Sequence, residues 1–210
     1  MSALRISRSH FPVTALGPGT RLGVWVQGCP LACRGCMSQD TWNPSGGTEV
    51  DVTDLVALWR ELDADGLTVS GGEPLQQPEA LREFLVAVRE GSPDKDVLLY
   101  TGYEESELDE TQWRAAELAD VLVTGRYDVT RPTSLIWRGS ANQRMVPQSE
   151  LGRQRYERFV DHVPEHPPMQ TRSDTEGVWL IGVPRRGALS GLERRLRELG
   201  LLPEDVSWRP

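Results

Sequence analysis

The chain has only three cysteines, no apolar run close to the ~18 residues that a membrane span requires, and no clustered block of basic residues. Each shortage excludes something. An odd, small number of cysteines rules out a disulfide framework as the basis of the fold. Without a long apolar run there is no membrane-spanning helix to expect, and Met1–Val13 carries basic residues but no uninterrupted apolar stretch, so a cytoplasmic location is the expectation. The formal net charge is -8 and the arginines are scattered, which argues against a surface that neutralises phosphates; no nucleic-acid partner is expected. The locally basic stretch Arg153–Arg158 reads as a solvated helix face.

What is present is a soluble composition, 38% hydrophobic and 26% charged over 210 residues, enough for one domain spanning 1–210 with a substantial core. From residue 21 to about 124, short apolar runs alternate with segments of helical period, the pattern of βα units around a parallel sheet. Strands are expected at Arg21–Gln27, Gly66–Ser70, Asp96–Tyr100 and Asp120–Thr124. Between them, Val52, Leu55, Val56, Trp59 and Leu62 share one helix face, as do Leu81, Phe84, Leu85 and Val88 after Pro78. A weaker helical segment runs from Glu104 to Ala119. Residues 126–175 lack clean periodicity, with short strands expected near Leu135–Trp137 and Tyr156–Val160. At the end, Gly177–Gly182 reads as a strand and Leu189, Leu192, Leu196 and Leu199 as a helix face, a βα unit expected to close the sheet. The fold class is α/β.

All three cysteines fall in one loop after the first of these strands, Cys29-Pro-Leu-Ala-Cys33-Arg-Gly-Cys36. Three thiolates on a cubane leave one iron open, whereas a cluster built for electron transfer is usually held by four cysteines. Two other readings fit the residues alone: zinc completed by His10, His162 or His166, or three unrelated structural thiols. Ser70-Gly-Gly-Glu-Pro74 closes the next strand. It reads either as a strand-to-helix turn or as a cradle whose glycines let the backbone approach an ammonium, with Glu73 adding negative charge. Tyr100-Thr-Gly-Tyr103 lies where parallel sheets bind ligands. Ile181–Pro184 ends the last strand in the same way and reads equally as a ligand border or an ordinary strand end.

The Cys-x3-Cys-x2-Cys spacing resembles the signature of the radical S-adenosylmethionine superfamily. That resemblance implies a partial (β/α)6 barrel with its core at 17–146 and a strand–helix completion at 177–200. It implies a 4Fe-4S cluster on Cys29, Cys33 and Cys36, and S-adenosylmethionine chelated to the open iron. Gly71, Gly72 and Glu73 would hold the methionine amino group, and Thr101, Gly102 and Tyr103 would line the cofactor site, where Asn142 is placed too; Asn142, Gln143 and Arg144 read as facing that site or a protein partner, or as a surface loop of turn residues. Reductive cleavage of the sulfonium to a 5'-deoxyadenosyl radical, which then abstracts hydrogen from substrate, is the implied chemistry; no catalytic residue beyond cluster and cofactor is nominated.

Within the superfamily, Gln27-Gly-Cys29, Gly35 before the last cysteine, Thr41-Trp42, Asp120–Tyr127 and Gly139–Arg144 resemble the activases of glycyl radical proteins, above all that of anaerobic ribonucleotide reductase. The implied function is oxidation of a glycine in a protein partner, with electrons from a flavodoxin- or ferredoxin-type donor, since the chain has no cysteines for a second cluster. Two departures keep modification of a small molecule or peptide open: Glu73 stands where those activases more often have aspartate, and some sixty residues follow the Asn142–Arg144 element.

Overall fold

The computed structural model describes residues 2–173, 175, 177–201 and 206–208. The strands Ala3–Val13 (β1), Arg21–Val26 (β2), Thr48–Asp51 (β3), Gly66–Gly71 (β4), Asp96–Tyr100 (β5), Val121–Thr124 (β6) and Arg144–Pro147 (β7) form one seven-stranded sheet, ordered β3-β1-β2-β4-β5-β6-β7. Strands β2, β4, β5 and β6 are mutually parallel, β1 and β7 flank them antiparallel, and β3 pairs antiparallel with β1 at the outer edge. The helices are Val52–Glu61 (α1), Pro78–Gly91 (α2), Glu110–Ala116 (α3), Glu150–Tyr156 (α4) and Ala188–Glu198 (α5). A separate two-stranded antiparallel sheet joins Met169–Ser173 (β8) to Val178–Gly182 (β9).

The parallel strands lie in chain order, so every crossover steps the same way; because such crossovers are right-handed, all their helices fall on one face. That is the winding of a barrel wall, and it differs from a doubly wound sheet. Side-chain alternation with period two then sorts the strands' residues. Leu22, Val24, Val26, Leu67, Val69, Val97, Leu99 and Leu122 join α1, α2 and α3 in the main core, where Trp59, Phe84 and Leu85 are at most 1% exposed. Each such buried side chain contributes roughly 1.5–3 kcal/mol. The alternate residues, among them Trp25, Leu98, Tyr100, Val121 and Val123, face the other side. Ile136, Trp137, Met145 and Tyr156 cover them toward β6, and Val13, Leu16 and Ile181 toward β2.

The α/β class and the barrel-type winding stand as expected from the sequence, with four parallel strands in place of six. The C-terminal unit differs. β9 does not close the sheet: β7 already pairs with β6 and occupies that edge, so β9 pairs with β8 and its Ile181 packs on Val13, Ala15 and Leu16. The segment 104–119 is shorter than its periodicity suggests. Asp109 interrupts it by capping α3, accepting from Gln112 N at 2.8 Å while the Gln112 side chain accepts from Asp109 N at 3.1 Å. Leu135–Trp137 is no strand; Ile136 and Trp137 plug the concave face. Nor is Tyr156–Val160, where Ser149 caps α4 through Gly152 N and the helical turn continues to Phe159. Among the described residues no helix is long and apolar enough to cross a membrane.

Candidate functional site

The C-terminal ends of β2, β4, β5 and β6 lie side by side, and the loops that leave them are stitched together. After β2, Gly28 N donates to Thr41 O at 2.7 Å and Cys29 N to Trp42 O at 3.1 Å, so the chain beyond the cysteines folds back to brace them. After β4, Gly72 N donates to Val26 O at 2.9 Å and Glu73 N to Gly28 O at 2.8 Å. A side chain at Gly72 would place its Cβ 2.3 Å from Gly28 O, and Gly71, at φ +105°, would press a Cβ to 2.6 Å from the Val26 backbone. Both glycines are therefore required for the two loops to touch.

Glu73 joins a third loop to these. Its Oε1 accepts from Leu75 N at 3.0 Å and from the Thr101 hydroxyl at 2.9 Å, and its Oε2 accepts from Gly102 N at 2.7 Å. Gly102 also packs on the cysteine loop, since a Cβ there would meet Leu31 at 2.3 Å. Tyr103 N donates to the Thr101 hydroxyl and Tyr103 Oη accepts from Gln76 Nε2 at 2.8 Å. Gly125 N, after β6, donates to Tyr103 O at 3.1 Å and lies against Asn142 and Gln143.

Every residue expected at the cofactor site from the sequence is thus on one edge. Asn142 Nδ2 donates to Arg126 O at 2.7 Å, and its buried Oδ1 has no hydrogen-bond partner among the described residues. Gln143 holds its own loop, accepting from Gly139 N and Ser140 N and donating to Gly125 O. Arg144 is exposed, 3.8 Å from Glu105. Ile181–Pro184 instead follows β9, beside Val13 and Leu16. One contributor had no signal in the sequence. Gln77, through bonds to Arg5 N, Arg5 O and Gln27 O, fixes the entry to the cysteine loop.

The donor set fits an iron–sulfur cluster. The three thiols sit on one loop, all half-buried and none in a disulfide. Ser38 N donates to Cys36 Sγ at 3.4 Å. Burial pushes the Cys29 and Cys36 thiols above their ordinary pKa, so they remain neutral until a metal displaces their protons. No histidine completes a zinc site: His10 packs between Trp25 and Trp179, His162 lies on Phe159, and His166 is exposed beside Glu165. Among the described residues no three His, Cys, Asp or Glu side chains converge on a single-ion position. Glu73 fits a cationic ligand: it is 1% exposed, its charge is met by hydrogen bonds without an ion pair among the described residues, and burial pushes its pKa up to about 7.

This last feature carries a pH prediction. The folded carboxyl keeps its proton up to about 7, whereas an ordinary glutamate releases it near 4.5. Between those values the folded state binds more protons, so stability of the ligand-free chain falls as pH rises, by at most roughly 3 kcal/mol. Urea unfolding across that window should reveal the slope in wild type and a flattened one in Glu73→Gln; equal slopes would mean that another group titrates.

A three-thiol loop at the C-terminal edge of a barrel-type parallel sheet, beside a buried acid with no ion-pair partner among the described residues, defines an iron–sulfur protein of the α/β class. Residues 15–146 match the family model described as "4Fe-4S single cluster domain", and the chain belongs to that family, in the radical S-adenosylmethionine activase branch that its motifs resemble. It is 38% identical over 145 residues to the anaerobic ribonucleoside-triphosphate reductase-activating protein of Haemophilus influenzae, covering 64% of this chain and 92% of that one. The proteins of the same name from Enterobacteria phage T4 and Escherichia coli K12 are 36% and 35% identical, over 61% and 64% of this chain and 85% and 93% of theirs. Among solved structures, that of QueE from Escherichia coli superposes with a TM-score of 0.43 at 15% identity, over 61% of this chain and 73% of its own.

Proposed function

We propose that the chain is an activating enzyme in which Cys29, Cys33 and Cys36 hold a 4Fe-4S cluster, S-adenosylmethionine occupies the open iron, and a glycine of a protein partner loses a hydrogen atom. The observation that carries this reading is the junction at Glu73, a buried carboxyl with no ion-pair partner among the described residues, locked by Thr101 and Gly102 against the loop that bears the three thiols. When bound, cluster and cofactor supply one-electron cleavage of the sulfonium to methionine and a 5'-deoxyadenosyl radical. The chain's own residues bind and orient. Gly71 and Gly72 keep the backbone bare for close approach, Glu73 offers negative charge to the methionine ammonium, and Thr101, Gly102, Tyr103 and Asn142 line the remainder. A hydrogen atom is transferred without a prior proton transfer, so no pKa-matched acid and base are needed for that step. The reducing electron comes from a flavodoxin- or ferredoxin-type donor. The names of the relatives support an anaerobic ribonucleotide reductase as partner.

The test is electron paramagnetic resonance of the reconstituted, reduced chain mixed with S-adenosylmethionine and the anaerobic ribonucleotide reductase of its own source. A glycyl doublet on the reductase is the expected result. Cofactor cleavage without that doublet would move the reading to a small-molecule or peptide substrate, and the absence of cleavage would end it.

A further inference from the structure

The region beyond the family match builds a surface of its own against the cysteine loop. After α5 the chain returns to that loop: the Ser207 hydroxyl donates to Met37 O at 2.7 Å, Gln39 N donates to Ser207 O at 3.0 Å, and Trp208 Nε1 donates to Glu193 of α5. Trp208 thereby becomes one wall of a cavity of about 720 Å3, with Arg34, Gly35, Trp42 and Arg186 among the others. None of Gly71, Gly72, Glu73, Thr101, Gly102, Tyr103 or Asn142 lines it. Arg34 and Gly35 of the cysteine loop line it instead, and both are exposed.

Among the described residues that line it, the charge is opposite to that of the molecule. In a chain of net charge -8, Arg34 and Arg186 are exposed and, among the described residues, neither side chain has an ion-pair or hydrogen-bond partner. Three acids nearby among the described residues are engaged: Asp40 by Arg8, Glu193 by Trp208 and Arg197, and Asp128 by the Thr130 amide and hydroxyl. With three cysteines in one loop and no others, an electron bound for a cluster must enter from outside, through the surface nearest that loop.

We propose that this cationic, indole-walled cavity docks a small acidic one-electron carrier, and that the C-terminal extension exists to complete it. The inference rests on the cluster assignment under Proposed function and adds the route by which the cluster is reduced. One electron leaves the reduced carrier and arrives on the cluster; no bond forms or breaks and no proton moves. The arginines steer the acidic partner and the two indoles pack on the apolar rim around its redox group.

The test is anaerobic stopped-flow reduction of the full-length, cluster-loaded chain, with reduced flavodoxin as the probe. Arg186→Glu is expected to lower the second-order rate constant about 10-fold or more and to flatten its salt dependence, and Trp208→Ala to lower it by a smaller factor, while Arg186→Lys restores it to within about twofold. Photoreduction by a deazaflavin radical reports that the cluster is intact in each variant. Wild-type rates in both Arg186→Glu and Trp208→Ala would overturn the proposal. So would an unchanged carrier rate joined to weakened binding of the glycyl radical partner, which would give this face to the partner. A wild-type chain that takes up no iron and sulfide would instead remove the cluster reading itself.

Discussion

Alanine at any one of Cys29, Cys33 or Cys36 is expected to reduce iron and sulfide incorporation from about four of each per chain to less than one, and to abolish cofactor cleavage. The size of the effect follows from the absence of a spare ligand. The sequence has no fourth cysteine, and the histidines are committed elsewhere, His10 between two indoles and His162 on Phe159. Two thiolates would leave two irons of the cubane open, exposing it to water and to loss of metal. The apo-protein should scarcely notice. All three cysteines are half-buried in a loop whose position is set by Gly28, Cys29 and Glu73 backbone bonds, so the change in unfolding free energy should stay within about 0.5 kcal/mol. Iron and sulfide analysis after anaerobic reconstitution, alongside urea unfolding of the apo forms, separates the two quantities. Retained iron in a single-alanine variant, or one equivalent of zinc in place of iron in the wild type, would defeat the cluster assignment.

The cysteine loop and the Ser70–Pro74 element were legible in the sequence because their function is written in residue type and spacing, and because both follow apolar runs that can only be buried strands. What Glu73 does was less legible. Its place was readable, but the partners of its carboxyl, Thr101 and Gly102, lie a whole βα unit away, and only the parallel pairing of β4 with β5 brings them together. The parallel strands were readable for the reason that flanking strands were not. β2, β4, β5 and β6 are buried on both faces and read as continuous apolar runs, whereas β1 intersperses Arg5, Arg8 and His10 among Leu4 and Ile6, and β3 has Val50 as its only apolar residue. The C-terminal βα pattern was read correctly as elements and misassigned as topology: a sequence carries the period of β9, not the knowledge that β7 has taken the sheet edge. Nothing local marks Ser207, whose two bonds to Met37 and Gln39 span most of the chain.

Asp96→Ala should cost about 3–5 kcal/mol of stability, the largest loss expected from any substitution away from the site. Arg21 and Asp96 open β2 and β5 and are both fully buried. The guanidinium is fixed on all sides: Nη2 donates to Asp96 Oδ2 at 2.7 Å and to Leu67 O at 2.7 Å, Nε to the Thr68 hydroxyl at 2.6 Å, and Nη1 to Pro18 O at 3.1 Å. Asp96 also accepts from Tyr156 Oη at 2.5 Å and pairs with Arg155 at 2.9 Å. Alanine would strand the Arg21 cation in the core and leave the Tyr156 hydroxyl without its acceptor, whereas the quarter-exposed Arg155 can turn to solvent. The cost is therefore that of an uncompensated charge and not that of a lost attraction, which the double variant Arg21→Met with Asp96→Ala distinguishes: removing the cation as well should recover 1 kcal/mol or more, roughly. A double variant no more stable than Asp96→Ala would show that packing, not charge, dominates. Because the network lies at the N-terminal ends of the strands, opposite the cysteine loop, the fraction of Asp96→Ala that remains folded should load iron and sulfide normally, so that the two largest effects in the molecule are separable by which end of the sheet they strike.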